Sequence, residues 1–241
     1  MKKVFLAGAS GVIGIRVAKM LVELGYEVYG TTRSQSKAQM LEQIGIKPVV
    51  LDVFDTQKLK EEMKKASCEI LMHQLTDLPD GLDYAGKMDE VLARNARIRT
   101  EGTRNLIEAA KQSGVKTIIA QSLGFIYEPG DMPYTEQSQL LNFNDTTYGE
   151  TSRAVASLEE QVLGSGMCAI VLRNGLIYGE GTGFDIPFKG YASVHVDAAA
   201  KAVVLALQCK QNEIFNIVDT DNITSNDKAK TILGWDENFR I

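Results

Sequence analysis

The sequence predicts an α/β domain built on a doubly wound parallel sheet with helices on both faces, and two observations carry that expectation. Short apolar strand signals alternate with amphipathic helix signals along most of the chain. The first strand also runs through a glycine-rich turn, Gly8-Ala9-Ser10-Gly11-Val12-Ile13-Gly14, directly into the first helix.

Lys3–Ala7 is a compact apolar strand. Ile13, Val17, Leu21 and Leu24 then recur at helical spacing until Gly25 stops the helix. Glu27–Thr32 reads as the second strand, 36–44 as a helix opened by a capping serine, and 47–51 as the third strand. Thr56–Ala66 is a charged surface helix and 69–74 the fourth strand. A long helix at 95–113, closed by Gly114, leads to a strand at 116–120. Residues 124–147 form a polar loop with Pro129, Gly130 and Pro133, and loops of that length usually border a site. Helix 148–163, strand 169–172, helix 198–207, strand 214–218 and a short helix at 225–233 restore the alternation. No repeat or linker interrupts the pattern. One domain over 1–241 is expected, with about 175–241 contributing a shortened substrate-binding part.

Composition narrows the function classes. The 241 residues hold 26 Lys+Arg against 31 Asp+Glu, and this net charge of −5 argues against a nucleic-acid partner. No apolar run approaches the ~18 residues of a membrane helix. Only four apolar residues precede Gly8, short of a secretory leader, and Cys68, Cys168 and Cys209 form no disulfide framework. A cytoplasmic protein is expected. The two histidines and scattered cysteines have no metal-ligand spacing, so no metal site is expected.

The glycine turn specifies a cofactor. Its glycines allow a tight turn and close backbone approach, and the helix N-terminus offers free N–H groups to a pyrophosphate. This is the fingerprint of a Rossmann-type fold. An NAD site wants Asp or Glu after the second strand to accept from the ribose 2′-hydroxyl. The chain has Thr31-Thr32-Arg33-Ser34, and Arg33 lies 19 residues beyond Gly14. Its guanidinium fork suits a 2′-phosphate, so NADP(H) is expected ahead of NAD.

These residues resemble a known family. Residues 3–14, Thr31-Thr32-Arg33-Ser34, Leu51-Asp52-Val53, Gly102-Thr103-Arg104-Asn105-Leu106, the run from Leu172 to Gly179, and His195-Val196-Asp197-Ala198-Ala199 are similar to the extended and atypical short-chain dehydrogenase/reductases. More narrowly, they resemble the NAD(P)-dependent epimerase/dehydratase family, over about 2–233. The resemblance implies that Ser10, Gly11, Val12 and Ile13 hold the pyrophosphate and that Asp52 and Val53 border the adenine. It places Gln74, Leu75 and Thr76 along the nicotinamide. Tyr148 matches the family's Tyr-x-x-x-Lys tyrosine, the general acid/base, whose lysine lowers its pKa while a Ser or Thr polarises the carbonyl.

The chain departs from that pattern at two positions. Ser152 stands where the lysine belongs, and Arg153 is rotated about 100° away on a helix. Leu123 stands at the hydroxyl position, and Ser122, the nearest hydroxyl, is one residue out of register. Only 182–193 separates the Tyr178-Gly179 turn from His195, too little for a full nucleotide-sugar pocket. His73 reads as a backbone-bonded loop histidine close to the nicotinamide, and Asp197 as the N-cap of the following helix. The expected function is an NADP(H)-linked oxidoreductase or epimerase-like enzyme on a small carbonyl or sugar-derived substrate, with Tyr148 and Ser122 as candidate catalytic groups. A non-catalytic NADP(H) sensor is the alternative. Helices 95–113 and 148–163 are a candidate homodimer surface.

Overall fold

The computed structural model describes residues 2–79 and 87–241. Its sheet has seven strands in the order β3-β2-β1-β4-β5-β6-β9, all parallel. β1 (Lys3–Ala7) is an interior strand, flanked by β2 (Glu27–Thr32) and β4 (Ile70–His73). β3 (Lys47–Val50) forms one edge; β5 (Thr117–Leu123), β6 (Cys168–Asn174) and β9 (Glu213–Ile217) complete the other half. The order reverses between β1 and β4, which opens a crevice beyond their carboxyl ends.

Strands buried on both faces read as near-continuous apolar runs, and β1 and β4 do. Val4 and Leu6 pack with Ile13, Val17 and Leu21 of α1 (Val12–Glu23), Leu41 of α2 (Gln35–Gln43) and the small residues of α7 (Val196–Leu205). Phe5 and Ala7 face the opposite layer: Leu59 and Met63 of α3 (Thr56–Ala66), Leu106 of α5 (Thr103–Ser113) and Leu158 of α6 (Gly149–Leu163). The sheet thus separates two cores.

Four features differ from the sequence expectation. The long helix begins earlier, as α4 (Met88–Arg97), whose N-cap Lys87 makes no side-chain cap and so left no start signal. A π-turn at Ile98–Gly102 joins it to α5, and the Thr100 and Thr103 hydroxyls donate to the Ala96 and Ile98 carbonyls there. β5 and β6 run on through the polar residues Ser122, Arg173 and Asn174, which bond to partners inside the fold or pair in register. α7 is capped by His195, whose Nδ1 accepts from the Asp197 N–H; Asp197 is no cap but accepts from Arg16 of α1 at 2.5 Å. A parallel pair, β7 (Leu176–Tyr178) and β8 (Ser193–His195), lies outside the main sheet.

Candidate active site

Each glycine of the β1–α1 turn has a separate job. Gly8 sits at φ +88°, and a Cβ there would lie 2.7 Å from the Gln74 carbonyl oxygen. A Cβ on Gly14 would overlap the Gly8 carbonyl, so Gly14 lets α1 lie against the turn. Gly11 is different: it is exposed, and a Cβ would meet only the Gly8 oxygen at 3.4 Å. It is also the N-cap of α1 and supplies no side-chain cap, so the first N–H groups of the helix stay free at the crevice. Ile13 offers only its backbone at this turn, because its side chain is in the core. Ser10 bonds Thr32 at 3.1 Å, and the Gly8 N–H donates to Thr31 at 3.0 Å, tying the turn to the end of β2.

The other cofactor candidates gather around that turn at the carboxyl ends of β2, β3 and β4. Arg33 follows β2 with its side chain 61% exposed, held by Asp77 at 2.9 Å. An exposed pair of this kind contributes about 0.2–1 kcal/mol and yields readily to a phosphate. Asp52 follows β3, exposed, and accepts from the Phe54 N–H; Asn105 donates to the Val53 carbonyl. Leu75 and Thr76 continue beyond β4. Gln74 is the informative residue: its amide is buried and, among the described residues, neither its nitrogen nor its oxygen has a partner. A buried amide left so costs about 1–3 kcal/mol, and a polar ligand at the switch point would satisfy it. The free helix N-terminus, the unpartnered Gln74 amide and the Arg33 fork fit a dinucleotide.

The catalytic candidates divide. Tyr148 heads α6 half-exposed, with its N–H held by Asp145. Ser152, one turn on, is fully buried and donates to the Leu141 carbonyl at 2.6 Å, so it pins the 141–143 segment instead of serving the tyrosine. Ser122 is not part of the site. Its hydroxyl is buried and donates to Glu159 at 2.7 Å, on the face of β5 that packs against α6. Glu159 holds Arg173 through two bonds, at 2.9 and 2.7 Å, and Arg173 also donates to Tyr127 and to the Glu136 carbonyl. Ser122, Arg173 and Asn216 are register neighbours on β5, β6 and β9, forming a polar stripe that anchors the loop after β5. Ser122→Ala is therefore expected to lower stability by about 1–3 kcal/mol and to leave turnover within twofold. Paired denaturation and rate measurements check this.

His73 is structural. Nε2 meets the Thr103 hydroxyl at 3.0 Å and Nδ1 accepts from the Leu75 N–H, so both ring nitrogens are used by a neutral imidazole. Burial, assisted by the positive charge of Arg99, pulls its pKa down to about 4. An unfolded histidine binds its proton at higher pH than this one, so stability falls as pH drops through the window from 6.5 to about 4. The loss should reach about 3 kcal/mol, and His73→Gln should remove it in urea titrations across that window.

Residues 4–188 match the model of the NAD dependent epimerase/dehydratase family. The chain belongs to that family. A Streptomyces 3-diazoavenalumate denitrifying reductase is 33% identical over 91% of this chain and 76% of its own length. The sterol-4-alpha-carboxylate 3-dehydrogenase, decarboxylating, of Dictyostelium discoideum is 28% identical over 92% and 73%. The fold matches UDP-glucose 4-epimerase from Thermotoga maritima, solved with UDP-glucose, at TM-score 0.78 and 20% identity over 99% and 94% of the two chains. It also matches the Stenotrophomonas maltophila enzyme, solved with NAD and a formylated UDP-arabinopyranose, at TM-score 0.79 and 15% identity over 100% and 94%. Reductase and dehydrogenase relatives within this epimerase/dehydratase family favour catalysis over a sensor role. No helix among the described residues is long and apolar enough to cross a membrane.

One buried charge had no signal in the sequence. Arg99 is buried in the π-turn at Ile98–Gly102.

Proposed function

We propose that this family member is an NADP(H)-dependent reductase acting on a carbonyl or similarly electrophilic carbon of a small substrate. The observation that carries the cofactor choice is Arg33, exposed at the end of β2 where the resemblance puts the adenosine ribose. NADPH, when bound, supplies the hydride. The free N–H groups at the head of α1 would hold its pyrophosphate, Asp52 and Val53 would border the adenine, and Gln74, Leu75 and Thr76 would orient the nicotinamide. Tyr148 would donate the proton to the reduced substrate. Reductases and dehydrogenases among the relatives support this chemistry, and the short 182–193 segment argues against a whole nucleotide-sugar. A homodimer through α4, α5 and α6 belongs to the same reading; a purely monomeric species in sedimentation velocity would remove it.

Arg33→Ala tests the cofactor assignment. A charge-assisted hydrogen bond to the 2′-phosphate is worth about 1.5–3 kcal/mol, so NADPH affinity should fall about 10–150-fold by calorimetric titration. NADH affinity should stay the same. Equal losses for the two nucleotides would make Arg33 a general structural contact.

A further inference from the structure

The π-turn holds a cation for which the described residues provide no counter-charge. Arg99 is 8% exposed and makes no hydrogen bond or ion pair among the described residues. The other buried arginine, Arg173, is paired to Glu159 at 2.7 Å, and the half-buried Arg16 is paired to Asp197. Burial draws the Arg99 pKa down to about 10, which leaves it charged at neutral pH. An isolated charge out of water costs several kcal/mol unless an anion meets it.

The surroundings locate this guanidinium. Ile98, one residue earlier, is in the core beside α5, and Thr103 meets His73 at the last residue of β4. The charge of Arg99 reaches that histidine. The next residue, Gln74, alternates to the α1 face of the sheet, and its buried amide has no partner among the described residues. α6 packs against the same π-turn, where the Gln161 amide donates to the Thr100 carbonyl. Asp77, the acid after β4 among the described residues, is already held by Arg33 and Arg94. A cofactor pyrophosphate is excluded as partner, because α1 packs on the opposite face of the sheet from α5.

We infer that Arg99 is a substrate-binding residue and that the substrate it selects carries a carboxylate close to the carbon being reduced. The inference rests on the reductase reading above. A guanidinium fork matches a carboxylate through two parallel bonds, which gives orientation as well as affinity.

Thermal unfolding of the NADP+-loaded protein with benzoate, cinnamate, their primary amides and inorganic phosphate tests this. The carboxylates should raise the midpoint and the amides should not. In Arg99→Met the carboxylate response should weaken about tenfold or more, whereas NADPH binding, followed by nicotinamide fluorescence, stays unchanged. The unliganded midpoint of Arg99→Met should equal or exceed wild type, because an uncompensated charge has been removed; Arg99→Lys should keep part of the carboxylate response. Equal stabilisation by the amides, a response to phosphate alone, no response to either carboxylate, or an Arg99→Met that responds like wild type would overturn the assignment. So would a lowered unliganded midpoint in both variants, which marks a structural arginine. Failure of wild type to bind NADPH would sink the reductase reading instead, and the fluorescence titration reports that separately.

Discussion

Tyr148→Phe should lower kcat by about 10²–10⁴-fold on any substrate that the wild type reduces, with NADPH affinity unchanged. The size of the effect follows from what else the site lacks. Ser122 is committed to Glu159 in the core and Ser152 to the Leu141 carbonyl. His73 is neutral, buried and bonded at both nitrogens. Of the candidate groups, the half-exposed phenol of Tyr148 at the head of α6 is the one whose hydroxyl has no partner among the described residues. Removing one oxygen atom from a half-exposed side chain barely alters packing, so stability should hold within about 0.5 kcal/mol. A steady-state comparison in which Tyr148→Phe keeps more than a third of wild-type kcat would take the proton-donor role from this residue.

Glu159→Ala should be the most damaging single change to the fold, at about 3–5 kcal/mol. It leaves Arg173 buried with its charge uncompensated and the Ser122 hydroxyl without an acceptor. It also loosens the segment after β5, because Arg173 holds Tyr127 and the Glu136 carbonyl. Replacing both partners, as Glu159→Leu with Arg173→Met, should recover most of the loss, since an apolar pair leaves no buried charge. Urea denaturation of the two variants gives the comparison. A cost below about 1 kcal/mol for Glu159→Ala would mean that water reaches the pair.

The half of the fold that carries the cofactor crevice was legible because backbone geometry dictates residue type there. Gly8 and Gly14 are required by close contacts that no side chain tolerates. The strands on either side are apolar because helices cover both faces. The catalytic half was harder to read. Ser122 looks like a displaced catalytic hydroxyl until register places it beside Arg173, whose partner Glu159 lies on a helix 37 residues along the chain from Ser122. The polar ends of β5 and β6 look like loop for the same reason: their hydrogen-bond partners are distant in sequence. Arg99 was invisible because a π-turn shifts the helix frame at Ile98–Gly102 and this arginine is buried there.

The measurement closest to the central claim is a pair of nicotinamide-fluorescence titrations of the wild-type protein, one with NADPH and one with NADH. The account predicts saturable NADPH binding at least about tenfold tighter than NADH, from the charged contact at Arg33. Binding of neither nucleotide would contradict it, because the α1 N-terminus and the Gln74 amide would then serve something other than a dinucleotide.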